Sequence, residues 1–197
     1  RATVGVAATA AALIVSLGGF IFYNTNSLNR YRTARDETER RAEYERRYGK
    51  YAGVAQPTLT STNLRIEIYP ERRVAEIRGI YVLANTGSEA INSIHLTTAP
   101  GIETGAVSIS MGDRPASPVL VDDSLGYRIY TLEKPLQSGD SLQLSFDVRI
   151  APHGFRNDGA DAFVVENGSL FTNRDCLPAV GYQRNRELDG AGVRKQY

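Results

Sequence analysis

The first part of the chain is dominated by one uninterrupted run of apolar residues. Residues 4–23 read VGVAATAAALIVSLGGFIFY, and no side chain between residues 2 and 29 is charged. A helix of about 20 residues at about 1.5 Å rise per residue spans the hydrocarbon core of a bilayer. A signal peptide has a shorter apolar region that ends at a small-residue cleavage site, whereas this chain continues as NTNSLNRY. The pattern therefore predicts one retained transmembrane helix, over residues 1–24.

Within this predicted span, the residues that we expect to anchor the chain in the membrane are Leu13, Ile14, Phe20, Phe22 and Tyr23. Aromatic rings favour the headgroup level, and three of these five residues lie at the downstream end. The many alanines and glycines of the span are small enough for other transmembrane helices to approach closely. We therefore expect membrane lipid and other transmembrane helices to be partners.

After the apolar run, the chain becomes dense in charges of both signs. Residues 27–51 contain no proline, and their first glycine is Gly49. Three acid and arginine pairs have the helical i,i+4 spacing, with the acid on the favourable side: Asp36 with Arg40, Glu37 with Arg41, and Glu43 with Arg47. The spacing predicts a juxtamembrane amphipathic helix over residues 25–52.

Three tyrosines lie on one face of this second helix. Tyr44, Tyr48 and Tyr51 are spaced i, i+4, i+7, which predicts that the last turns pack on the following domain. The helix is then either a rigid spacer or a solvated helix with a small packing stripe. The arginines that follow the span favour a cytoplasmic position for this end of it. Because only this flank of the span can be counted, either side of the membrane stays possible for the β-domain.

A linker is expected over residues 53–63, and from residue 64 the apolar positions alternate. Leu64, Ile66 and Ile68 alternate with polar residues or tyrosine, so this segment is predicted to be a strand with one apolar face. Further strands are predicted at residues 74–84, 91–97, 106–111, 119–121, 127–132 and 141–150.

The last of these predicted strands, SLQLSFDVRI, alternates strictly, which indicates one buried and one wet face. Further along, Asn167-Gly168 lies between the apolar residues 162–165 and 170–171, which predicts a type I′ hairpin. No helical pattern separates these strands. Residues 64–197 are therefore predicted to form an all-β domain, an antiparallel sandwich or a pair of strongly curved sheets.

Composition limits the function classes. The net charge is +1 and no basic platform carries interleaved aromatic residues, which argues against nucleic-acid binding. The single cysteine, Cys176, has no partner for an internal disulfide. The chain begins with Arg1 and ends shortly after a charged stretch, so we expect it to be a segment of a longer protein.

Residues with catalytic or metal-binding chemistry are sparse. The two histidines, His95 and His153, show no metal-ligand spacing, and the cysteine has no base near it in sequence. We expect a satisfied or exposed His95, a loop position for His153 and a structural thiol at Cys176. No G-x-S-x-G or glycine-rich phosphate motif is found. By itself this chain is expected to hold no cofactor and to be no enzyme.

The order of these features resembles a family of large bacterial membrane proteins, in which ABC-2 type permease helices are fused to a domain similar to the M1 zinc aminopeptidases. The stretches that carry the resemblance are residues 23–31, 42–48, 56–57, 66–73, 79–85, 178–182 and 186–188. Together they extend over nearly the whole chain.

The resemblance implies that residues 64–197 are the N-terminal β-domain of such a peptidase, a saddle-shaped assembly of sheets. The family's zinc ligands and general base lie in an H-E-x-x-H helix, which would follow this segment. The family also holds the substrate's amino group with a Gln or Glu near the end of this domain. Counting back from Pro178 leads to Ser169, which is neither an acid nor an amide, with Glu166 and Asn167 close by. These three residues are candidates for the edge of a substrate cleft.

Two function classes follow. In the first, the chain anchors a larger permease-associated metallopeptidase in the bacterial inner membrane and forms one wall of its peptide cleft, with a downstream catalytic domain as partner and zinc bound elsewhere in the parent protein. In the second, it is a self-contained, membrane-tethered interaction module, such as a subunit of an export complex. The downstream reading frame distinguishes them: an H-E-x-x-H helix supports the first, and a stop codon near Tyr197 supports the second.

Overall fold

The computed structural model describes residues 2–29, 31–99, 102–155, 163–170 and 172–194. Arg1, the first residue of the predicted transmembrane helix, lies outside the described residues, as do residues 195–197, the last of the predicted β-domain. So do Ala162 and Phe171, which belong to the predicted hairpin strands.

The apolar run forms helix α1, Ala2–Phe22, which continues as one wider turn over Tyr23–Ser27. Polar side chains at its end bond back to the helix: Asn24 Nδ2 donates to the carbonyl of Phe20 and Thr25 Oγ1 to that of Ile21, both at 2.8 Å. These bonds satisfy carbonyls that a helix end leaves without backbone partners. The helix over Thr3–Ser27 is long and apolar enough to cross a membrane, and none of it is buried inside the protein.

Helix α2 spans Ala34–Tyr48 and is followed by a short 3₁₀ turn over Gly49–Tyr51. The predicted continuous helix over residues 25–52 is therefore divided, because Thr33 caps a new helix. Thr33 Oγ1 accepts from the backbone N–H of Asp36 at 3.1 Å, while the Asp36 carboxylate accepts from the backbone N–H of Thr33 at 2.7 Å. This reciprocal pair is a capping box, which sets the start of a helix.

The ion pairs along α2 follow the prediction in part. Glu37 contacts both Arg40 (2.6 Å) and Arg41 (3.5 Å), and Arg47 contacts Glu43. Asp36 serves the capping box.

Eleven strands and two short helices make up the described part of the remaining chain. The strands are β1 (Thr58–Tyr69), β2 (Val74–Ala84), β3 (Ile91–Thr97), β4 (Glu103–Met111), β5 (Arg114–Pro115), β6 (Ser117–Asp122), β7 (Tyr127–Leu136), β8 (Ser141–Ile150), β9 (Val164–Val165), β10 (Gly168–Ser169) and β11 (Ala179–Val180). The helices are α3 (Asn173–Cys176) and α4 (Ala191–Arg194). The predicted all-β domain is confirmed as antiparallel sheets.

Two of these sheets form the body of the domain. Sheet I has the order β1-β2-β8-β4-β5 and sheet II the order β11-β3-β7-β6, while β9 and β10 form a separate hairpin. Both large sheets contribute to one apolar core, which contains Ile77, Leu83 and Leu144 of sheet I and Ile94 and Leu96 of sheet II. Because each sheet buries one face, the strict alternation of β8 is confirmed, and all five of its apolar side chains are buried.

The first strand departs from its prediction in two ways. It begins at Thr58, so the linker ends at residue 57 rather than 63. Its apolar face is also less covered than predicted. Ile66 pairs with Ile77 and Ile68 with Ala75, so both side chains lie on the core face of sheet I, yet they are 44% and 42% exposed. The reason is that β1 is the edge strand of its sheet.

The predicted hairpin is present, but its turn is different. Val165 pairs with Gly168 and Val164 with Ser169, so the two turn residues are Glu166 and Asn167 rather than Asn167 and Gly168. A type I′ turn needs positive φ at both central residues. Among the described non-glycine residues only Arg73 has positive φ, so the type I′ assignment is wrong.

Candidate functional site

The tyrosines of α2 pack on sheet II, as predicted. The Tyr48 ring stacks on Tyr127 with 4.2 Å between centroids, and the Tyr44 ring stacks on Tyr182 at 5.0 Å. Tyr44 Oη accepts from the backbone N–H of Gln183 at 3.0 Å. These contacts hold α2 against the β-domain.

The hydroxyl of Tyr48 extends this junction to a charged group. It donates to the Asp122 carboxylate at 2.6 Å. Burial opposes ionisation of Asp122, but hydrogen bonds from Ser124, Tyr48 and the backbone N–H of Leu125 outweigh burial and lower the pKa of this carboxyl. Burial and the same carboxylate raise the pKa of the Tyr48 hydroxyl. The pair therefore consists of a neutral phenol and a carboxylate.

His95 is buried at the same junction and both of its ring nitrogens have partners. Nδ1 lies 2.9 Å from Tyr127 Oη and Nε2 lies 3.1 Å from Ser93 Oγ. The backbone N–H of His95 donates to Gln56 Oε1 at 2.7 Å, which ties the linker to β3. Burial lowers the pKa of the imidazole. This is the satisfied histidine that the sequence predicts, with a structural role.

The other two candidate reactive residues are separated from His95 and from each other. Cys176 is buried, and its Sγ donates to the carbonyl of Thr172 at 3.1 Å. His153 is exposed in a loop, where its carbonyl accepts from Asn29 Nδ2 at 2.5 Å. Within the described ranges, no group of three or more His, Cys, Asp or Glu side chains is placed to hold a metal ion.

The predicted cleft-edge residues are all exposed on one small hairpin. Glu166 and Asn167 form the turn between β9 and β10, and Ser169 is in β10. Strand β9 lies against the turn Pro70–Arg72, which follows the end of β1. The five predicted anchor residues, Leu13, Ile14, Phe20, Phe22 and Tyr23, are all exposed along α1 and its last turn.

A groove of about 670 Å³ lies beside the start of β1, at the opposite end of that strand from the hairpin. One side consists of Pro57, Leu59 and Thr62, with Tyr81 of β2 next to them. The other side is the segment from α3 through β11 to residue 186. Since β1 and β11 are edge strands of the two sheets, the groove is an open side of the two-sheet core.

The charged residues that line this groove all have the same sign. They are Arg174, Arg184 and Arg186, and among the side chains that the structure describes no carboxylate lines it. In the part of the chain that the structure describes, none of the three makes an ion pair, and the buried Nη1 of Arg186 has no hydrogen-bond partner. Burial lowers the pKa of Arg186 to about 10, so the group is still cationic at neutral pH. The groove is therefore a basic site whose walls contain both polar and apolar side chains.

Comparison with known proteins gives little further information. No family model and no curated protein matches the chain. Among solved structures, the chitin-binding domain of the hyperthermophilic chitinase from Pyrococcus furiosus is similar over 52% of this chain and 85% of that chain. The two are 17% identical and superpose with a TM-score of 0.22, which is too low to define a shared fold.

Sequence reasoning missed the groove. Its two sides are far apart in the sequence. Of the two arginines in the stretch QRNREL, only Arg186 belongs to a stretch that carries the family resemblance. The alternation of arginine with asparagine at residues 184–186 was the available signal, because it places two cations next to each other without an intervening acid.

Proposed function

We propose that this chain is the membrane anchor and noncatalytic β-domain of a larger protein of the kind it resembles, an ABC-2 permease fused to an M1-like metallopeptidase in the bacterial inner membrane. Helix α1 crosses the bilayer beside other helices of the permease. The two sheets correspond to the saddle-shaped module of that family and form one wall of a peptide cleft, which the downstream catalytic domain completes.

The observation that carries this proposal is the link between the exposed apolar helix and the β-domain. The backbone N–H of Phe155 donates to the carbonyl of Asn24 at 3.2 Å, and the Phe20 and Phe155 rings meet edge to face at 5.8 Å. Asn29 Nδ2 bridges the carbonyls of Asn24 and His153. A helix held in this way fixes the height and tilt of the β-domain at the membrane surface.

The described residues do not suit a zinc centre. His95 uses both ring nitrogens in neutral hydrogen bonds, Cys176 is buried against a carbonyl, and His153 stands apart from both. Zinc in proteins needs three or four such ligands converging on one point. The chemistry of the parent protein is therefore assigned to its other domains, and this chain binds and positions.

The test is made on the full chain expressed in a bacterium. Washing the membranes with alkaline carbonate should leave the chain in the membrane pellet, and the purified chain should contain no stoichiometric zinc and hydrolyse no amino-acid anilide. Turnover together with bound metal in the isolated chain refutes the noncatalytic assignment. Recovery of the chain in the carbonate supernatant refutes the anchor.

A self-contained interaction module is the second candidate, and the open basic groove favours it. Such a module needs no peptidase, and its partner would occupy the groove. A reading frame that stops near Tyr197 would favour this function, while an H-E-x-x-H helix downstream would favour the first.

A further inference from the structure

Strand β1 is a long edge strand that pairs on one side only. It has 12 residues and, among the described residues, its one sheet neighbour is β2. The outer edge of such a strand presents unpaired N–H and C=O groups, which pair readily with another extended segment. Proteins commonly cover or interrupt an edge of this length.

The core face of β1 is also uncovered. Leu59 is 44% exposed, and Ile66 and Ile68 are exposed to a similar degree, although all three share the face of buried residues in β2. An added strand would place every second side chain on this same face, next to the exposed apolar residues of β1. An extended polypeptide with alternating apolar residues would therefore pair with the edge and pack against the exposed apolar side chains at the same time.

The charges beside the start of β1 indicate which charged side chains the bound segment should carry. Arg174 and Arg184 are exposed at the groove, Arg186 is partly buried in it, and none of the described side chains that line it is acidic. Guanidinium groups bind carboxylates in a bidentate manner, and charge complementarity selects partners of opposite sign. A segment carrying carboxylates at the end next to the groove fits this site.

We propose that β1 and the basic groove bind an extended acidic peptide segment, which joins sheet I as a new edge strand beside β1 and places its carboxylates against Arg174 and Arg184. This inference rests on the proposed function, because β1 is the edge of the two-sheet module that forms the cleft wall in that proposal. It adds the mode of binding, which is strand addition, and the charge of the segment that is bound.

The experiment uses the full chain in nanodiscs and two fluorescent peptides of twelve residues, the length of β1. Both alternate Val with Thr, and the Val nearest each end is replaced by Glu in one peptide and by Lys in the other, so that the charges lie on the face of the groove. The acidic peptide should bind at least about tenfold more tightly than the basic one, because opposite charges face the three arginines. Hydrogen exchange should also show protection of alternate amides in β1 when the acidic peptide is bound.

Two double variants test the site. R174E/R184E should weaken binding of the acidic peptide by about tenfold or more, whereas R114E/K134E, which reverses two exposed cations on β5 and β7, should leave it unchanged. Because these side chains are exposed, each variant should keep the parent's melting temperature. Equal binding of both peptides, insensitivity to R174E/R184E, or no protection in β1 would overturn the inference.

Self-association is the competing occupant. If the mass of the chain doubles with concentration and the doubling is accompanied by protection of β1, the edge belongs to a second copy and the peptide site is rejected. Membranes of the bacteria that express the same chain are washed with carbonate to measure retention. A chain that stays in the membrane without binding peptide contradicts this inference alone, while a chain released from the membrane contradicts the proposed function.

Discussion

The ring of Tyr48 on α2 stacks on the ring of Tyr127 on β7, with 4.2 Å between the centroids and 16° between the planes. This contact joins α2 to an inner strand of sheet II. The helix is therefore part of the β-domain's packing.

Two substitutions of Tyr48 separate the contribution of the ring stack from that of the hydrogen bond to Asp122. Tyr48→Phe keeps the ring stack and removes the hydrogen bond to Asp122, so we expect a loss of about 1–2 kcal/mol in the free energy of unfolding. Tyr48→Ala also removes the ring and should cost about 3–5 kcal/mol. Denaturant unfolding measures both. The control is Tyr31→Phe, at an exposed position before α2, and an equal effect of the two Phe variants would contradict the assigned role.

Burial of His95 predicts a dependence of stability on pH. Since the pKa of His95 is lowered in the folded protein, the unfolded chain binds more protons. The contribution of the neutral ring is complete above the unfolded pKa of about 6.5 and is lost as pH falls below that value toward the folded pKa. The free energy of unfolding, measured between pH 7 and pH 5, a range of about two units around that pKa, should decrease as the pH is lowered.

His95→Asn removes this titrating group and should flatten that part of the profile. The matched control is His153→Asn, at an exposed loop position, which should leave the slope as in the parent. A parent profile that is flat over this range would refute the prediction.

Gly79 and Phe146 lie opposite each other in β2 and β8, and the Phe146 ring covers the glycine. A Cβ at position 79 would overlap that ring, so Gly79→Ala should destabilise the domain. Phe146→Ala should cost about 3–5 kcal/mol through the cavity it leaves.

Combining the two substitutions should cost less than their sum, because the smaller side chain at position 146 makes room for the methyl group. Thermal unfolding of the four proteins measures this coupling. Gly105→Ala is the control, since its Cβ would lie 3.6 Å from the nearest atom, an ordinary contact. Additive losses would mean that the ring does not restrict position 79.

The anchor is tested at the middle of α1. Leu13→Arg should cost about 2.5–3.5 kcal/mol of insertion free energy and shift the chain from membrane to soluble fractions. Leu170→Arg, at a position 79% exposed near the β9–β10 hairpin, adds the same charge and should leave the distribution unchanged. If Leu13→Arg remains in the membrane pellet, contacts other than this helix hold the chain there.

Much of the secondary structure could be predicted from local patterns. The bounds of β2, β3 and β8 match their predictions, because alternation on a half-buried sheet is written in consecutive residues. The tyrosine stripe of α2 likewise showed which face would pack. Errors arose where a single side chain decides a boundary, as at the Thr33 cap, or where one residue shifts a turn, as at Asn167.

The candidate site could not be predicted in the same way. Leu59 and Arg184 lie far apart in sequence and meet only because the two sheets leave one side of their core open. The alternation in β1 indicates an apolar face but does not reveal whether another layer covers it. Ile66 therefore had the pattern of a core residue and proved to be half exposed.

The sequence by itself determined an apolar helix long enough for a bilayer, a charged helix with a tyrosine face, and a series of alternating strands, since each depends on neighbours within one or two turns or along one strand. Only the tertiary structure decided the strand order, the uncovered edge and the basic groove. Those features depend on which distant segments pack together. The contacts that stabilise this packing join residues far apart in the sequence, so no pattern of neighbouring residues reveals them.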